Sequence, residues 1–147
     1  MKYIYLSSLL VWVLVLGSCT KKGPSDTLTN GKVLTGVWEL RDVVGGMAPY
    51  NPDLYAPGNG TLWVFKQKDF ARVFKDSVYQ SGTYSVSKGT GADLNTGRKI
   101  DQFIFNSLPS ESFELKNDTL SFYYGAIALD GDIERYVKIS DDTLLVK

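Results

Sequence analysis

Hydrophobic and polar positions divide the chain into three stretches. Residues 4–16 form an apolar run broken only by Ser7 and Ser8. Residues 20–30 are polar and carry lysine, glycine, proline, serine and aspartate. From Val33 onward the apolar positions recur in short segments, and none of these segments carries the 3.6-residue period of an amphipathic helix. Period-two alternation instead sends successive side chains to opposite faces of a strand. Over residues 36–44, Trp38, Leu40 and Val44 fall on one face while Glu39 and Arg41 fall on the other. The same reading predicts strands over residues 61–66, 70–75, 78–87 (bent at Gly82), 99–106, 113–116, 119–124, 133–139 and 143–146. A polar, glycine-rich loop is expected over residues 88–97, and a turn containing Pro109 over residues 107–110. Asn117-Asp118 suits a two-residue hairpin turn, and Asp130-Gly131 is a stronger hairpin signal.

Eight or nine short strands joined by tight turns predict an all-β fold, an antiparallel up-and-down barrel whose closure removes exposed strand edges. The alternative is a two-sheet β-sandwich. Residues 45–60 do not fit a simple meander. That connection is long and rich in proline and glycine, and it carries Met47, Tyr50, Leu54 and Tyr55. Long loops of this kind serve as lids or binding loops. These four side chains are expected to fold back over the barrel mouth, as a plug or as a lid.

The first stretch has the order of a secretory signal: a positive charge at Lys2, the apolar run, then the small residues Gly17 and Ser18. The run is shorter than the roughly 20 residues of a membrane span. Leu16-Gly17-Ser18-Cys19 resembles the bacterial lipobox, in which the cysteine thiol receives a diacylglycerol before cleavage. The resemblance implies a lipoprotein signal peptide at 1–18, lipidation at Cys19 and a lipidated flexible tether at 19–32, with the barrel domain at 33–147. It also implies attachment to a membrane through acyl chains, each buried methylene adding about 0.8 kcal/mol. Thr20 stands where an inner-membrane retention signal has aspartate, and Lys21-Lys22 differs from an acidic surface-export run. The expected address is the outer membrane, with the domain facing the periplasm.

Within the domain, Gly36-Val37-Trp38 looks like the Gly-x-Trp signature of lipocalins. The run Leu34-Thr35-Gly36-Val37-Trp38-Glu39-Leu40, followed by Gly82-Thr83-Tyr84 and Asn117-Asp118-Thr119-Leu120, is similar to lipocalin-like lipoproteins of the Bacteroidetes. The resemblance implies that Trp38 lies at the closed end of the barrel beneath a basic residue from the last strand, Arg135 or Lys138. It also implies a small apolar or amphipathic ligand in the mouth.

Composition narrows the chemistry. The chain has no histidine, which removes Ser-His-Asp and Cys-His catalysis and makes a zinc enzyme an unsuitable reading. Cys19 is the one cysteine, so no intramolecular disulfide is available. Without Lys2, 15 basic residues face the 16 acidic ones, a net charge of about −1 that offers nucleic acid nothing. Gly89, Gly91 and Gly97 lack the lysine and serine of a phosphate loop. Asp130-Gly131-Asp132 lacks the spaced ligands of a calcium loop. No cofactor or metal is therefore expected. The acidic residues mostly sit at turns or opposite apolar positions, which ranks a carboxylate enzyme third. Aromatic content is the informative feature, with nine Tyr, seven Phe and three Trp. Most are expected in the core. Tyrosines at a mouth can use ring and hydroxyl together, so the candidate binding residues are Met47, Tyr50, Leu54, Tyr55, Tyr84 and Tyr124. The leading expectation is a non-catalytic binding module. The second is an envelope interaction module with a filled barrel and a protein partner.

Overall fold

The computed structural model describes residues 28–29, 32–46 and 51–143. The leader, Cys19, most of the tether, Met47, Tyr50 and the end of the strand expected over residues 143–146 lie outside the described residues. Ten strands are described: β1 (Leu28–Thr29), β2 (Lys32–Val33), β3 (Gly36–Gly45), β4 (Thr61–Lys66), β5 (Asp69–Phe74), β6 (Ser77–Asp93), β7 (Arg98–Phe105), β8 (Glu111–Lys116), β9 (Thr119–Tyr124) and β10 (Asp132–Ser140). β1 and β2 pair with each other outside the barrel. The other eight close into an antiparallel ring in the order β10-β3-β4-β5-β6-β7-β8-β9. The fold is the all-β up-and-down barrel that the alternation predicts, with eight strands in its wall, and not the sandwich.

Local sequence explains the tight turns. Asn117 and Asp118 adopt φ values of 49° and 60° between β8 and β9, and Lys75 and Asp76 adopt 46° and 65° between β5 and β6. Two successive left-handed residues match the twist of the strands they join. Other connections depart from expectation. Asp130-Gly131 does not make a two-residue hairpin. Residues 125–131 link β9 to β10 through a 3-10 turn, Ile127–Leu129, which Asp130 ends at φ 62°. The loop expected over residues 88–97 is a strand for most of its length, because β6 continues to Asp93 and only residues 94–97 turn. Gly91 is there for close strand approach. A Cβ at that position would stand 2.7 Å from the Asp101 carbonyl oxygen and 2.8 Å from the Ser112 hydroxyl.

A bulge also reverses the phase of β3. Tyr136 faces Leu40 while Arg135 faces Asp42, which leaves Arg41 as an extra residue on β3. Beyond a bulge the inward face moves by one position. Val43 therefore packs against the core, and Val44 turns out to 37% exposure, the reverse of the expected face.

Inside, the lower barrel is filled. Trp63, Phe65, Phe103, Phe105, Phe113 and Phe122 are buried and stack on one another, with Phe103 and Phe113 only 3.8 Å apart between ring centroids. Trp63 meets Phe65, Phe70, Phe105 and Phe122 at 5.0–5.6 Å. Offset and tilted ring pairs of this kind add to simple burial.

Candidate functional site

The two ends of the barrel are built differently. β3 begins and β10 finishes at one end, where Gly36 and Val37 lie beside Ser140. Trp38 closes this end. It is 1% exposed, and its indole Nε1–H donates to the Leu34 carbonyl at 2.8 Å. Lys138 holds its ammonium 5.7 Å from the Trp38 ring centroid, within cation–π range, and is ion-paired to Asp141. Arg135 is not over the indole; it pairs with Asp42. Gly36 has a structural reason to be glycine. Its φ is 140°, and a Cβ there would stand 2.6 Å from the Ser140 carbonyl oxygen and also meet the Lys138 stem.

The opposite end holds a cavity of about 320 Å³, within the size range of small-molecule sites. Trp63 and Leu108 are its apolar lining, and Arg72, Glu111, Tyr124, Asp132 and Glu134 its polar lining. All five polar residues share an inward phase with core neighbours: Arg72 with Phe70, Glu111 with Phe113, Tyr124 with Phe122, and Asp132 and Glu134 with Tyr136. A concavity of about 390 Å³ lies at the β6 bend, around Lys68, Thr83 and Asn106. It gathers no opposed charges, so the mouth cavity is the better candidate.

Electrostatics in the mouth are strained. The Arg72 guanidinium carbon lies 4.9 Å from the Trp63 ring centroid and 5.3 Å from that of Tyr79. The Arg72 guanidinium makes no ion pair or hydrogen bond with the described residues. Burial pushes the Glu111 carboxyl up to about 6, with the Arg72 charge opposing the rise and the Glu134 charge adding to it. Burial also raises Glu134, although a hydrogen bond from the Tyr136 hydroxyl at 2.7 Å offsets part of this and Asp132 adds to it. Burial raises Asp132 as well. The Tyr124 and Tyr136 hydroxyls are pushed upward by burial first and by Glu134 second. Each shift has the same origin, a charged form deprived of water.

The described end of the long connection after β3 is fastened to β3. The backbone N–H groups of Gly58 and Gly60 donate to the Glu39 carboxylate at 3.2 and 3.3 Å. The Asn59 side chain donates to the Leu40 carbonyl at 2.7 Å. These bonds account for Glu39, a carboxylate only 3% exposed on the outward face of β3; Arg41 forms an ion pair with it. Of the expected binding residues, Tyr124 lines the mouth cavity. Tyr55 is half-buried against the core, and Leu54 is 58% exposed. Tyr84 is 6% exposed and packs edge-on against Phe65 and Phe103, away from the mouth.

Arg72, Glu111, Asp132 and Glu134 were not among the expected site residues. Their signal in the sequence is a charge at an inward-phase position, which contradicts the rule that acids here oppose apolar residues. The chain matches no family model, no curated protein and no solved structure. The fold and site together define a small closed β-barrel with one end sealed by tryptophan and the other holding a charged cavity.

Proposed function

We propose that this chain is a lipid-anchored envelope lipoprotein of lipocalin type, and that its barrel mouth captures a small amphipathic molecule without transforming it. Cys19 supplies the anchor in this reading, and the outer membrane, on its periplasmic side, is the address. The observation that carries the function is the mouth cavity. An aromatic floor, Trp63, lies beneath converging polar groups, Arg72, Glu111, Tyr124 and Glu134. Convergent polar groups over an aromatic surface are what fix the orientation of a ligand in a small-molecule site, and here they make up most of the lining. The filled barrel beneath limits the ligand to a short one, because long alkyl chains have nowhere to go.

Glu111 and Glu134 are also a carboxylate pair in one cavity. Catalysis by such a pair needs one group held protonated and the other ionised. Here burial raises both, which fits the holding of polar ligand groups better than a division into acid and base. An interaction module has its own support in the exposed Phe74, Val78 and Tyr79 of the β5–β6 hairpin.

Calorimetric titration of the full-length chain in lipid nanodiscs with short aromatic and aliphatic amphipaths tests the capture reading. Saturable one-to-one binding is expected, and Leu108→Trp, which fills the cavity, should abolish it. Absence of saturable binding, or binding indifferent to Leu108→Trp, would leave the interaction module in front.

A further inference from the structure

The mouth cavity is divided across its width. Arg72 is on β5 and Trp63 on the adjacent β4, whereas Glu111, Tyr124 and the Asp132–Glu134 pair are on β8, β9 and β10. In the closed ring β5 and β9 stand four strands apart in either direction. The basic wall and the acidic wall therefore face each other across the cavity.

Each wall also lacks what the other type of group supplies. The Arg72 guanidinium lies over the rings of Trp63 and Tyr79, and its N–H donors find no acceptor among the described residues. Trp63, 1% exposed on the same side, has an indole Nε1–H with no acceptor among the described residues. Buried donors without acceptors are costly and uncommon in folded proteins. On the facing wall Glu111 accepts no side-chain hydrogen bond among the described residues, while Glu134 accepts from the Tyr136 hydroxyl at 2.7 Å and is also served by that of Tyr124, neither of which brings it a positive charge. Among the described residues, no lysine or arginine other than Arg72 lines the cavity.

We propose that the mouth cavity selects a small zwitterion, with a protonated amine held by Glu111 and Glu134 on one wall and a carboxylate held by Arg72 on the facing wall. This rests on the capture reading above and names its ligand class. The ligand's apolar body lies against Trp63 and Leu108. Arg72 is suited to its part because a guanidinium presents paired donors to a carboxylate. The amine replaces the water that burial took from the acids. Below about pH 6 Glu111 is protonated, with Arg72, Glu134, Asp132, Tyr124 and Tyr136 as the ionisable groups around it, so the amine loses one of its counter-charges.

The test compares four probes that share one phenylethyl body. They are phenylalanine (zwitterion), phenethylamine (cation), 3-phenylpropanoate (anion) and 2-phenylethanol (neutral). Each is titrated calorimetrically into the full-length chain in nanodiscs at pH 8 and pH 5. At pH 8 phenylalanine should bind about tenfold or more tighter than each of the others, the scale of one charge-assisted hydrogen bond. Its advantage over 3-phenylpropanoate should shrink at pH 5 and in Glu111→Gln. Its advantage over phenethylamine should shrink in Arg72→Gln. Circular dichroism of both variants confirms the barrel. If a singly charged or neutral probe binds as tightly as phenylalanine, the zwitterion assignment is overturned while capture stands. The same holds if none of the four binds but other amphipaths do. If no amphipath of either panel binds, both readings fall.

Discussion

The closed end and the open end of this barrel use similar materials to opposite effect. Each has a buried tryptophan with a cation near its ring, Trp38 with Lys138 and Trp63 with Arg72. At the closed end the indole N–H is satisfied by Leu34 and the cation is paired with Asp141. At the open end the indole N–H is unsatisfied, and Arg72 faces carboxylates that it does not touch. A polar group that is buried and unpaired costs free energy, while a satisfied one costs little. The closed end is thus organised for stability. The open end keeps a local cost that the ligand proposed above would relieve.

The contrast is open to attack from both ends. The largest effect belongs to Trp38→Ala, which removes the seal and should lower unfolding free energy by about 3–5 kcal/mol in a denaturant titration, as large-to-small core changes do. A loss below about 1 kcal/mol, the range of an ordinary surface change, would mean that Trp38 does not organise the closed end. Lys138→Met keeps the stem and deletes the charge. It should cost about 1 kcal/mol, the scale of a partly exposed cation–π contact. No measurable loss in the same titration would reduce the ammonium over Trp38 to a bystander.

At the open end the sign should invert. Burial raises Glu111 from 4.5 to about 6 in the fold. Below pH 4.5 the carboxyl is protonated folded or unfolded, and the fold bears no charge cost. As pH rises through 6 the folded state must ionise it at a disadvantage, so that stability is lost. Glu111→Gln should therefore stabilise the protein at pH 8, by about 1 kcal/mol or less once solvent screening is allowed for. The gain should vanish at pH 4. Paired melts at the two pH values read this directly, and a Gln variant less stable at pH 8 would show that Glu111 contributes to the fold after all.

Much of the barrel is legible in the chain because its signals are local. Alternation around Trp38, Phe122 and Tyr136 marks strands, and Asn117-Asp118 marks a turn by the residues that tolerate a left-handed backbone. Non-local features were hidden. The phase change at Arg41 comes from pairing with β10 and has no mark in β3 itself. Glycine at positions 89 and 91 reads as loop chemistry, yet Gly91 is needed because β7 and β8 approach it closely. The site was harder still. Its charges lie on strands far apart in sequence, and only ring closure makes Arg72 face Glu111 and Glu134. Each of them breaks the inward apolar phase of its own strand, and such breaks gathered at one end are a readable sign.

The meander also fixes a direction. Because β3 starts and β10 finishes at the Trp38 end, the chain enters the barrel at its sealed base. Under the proposed anchor at Cys19, the sealed base would be the tethered end and the cup would open on the side away from the tether. In that arrangement the proposed ligand would reach the cup from solution and not sideways from the leaflet.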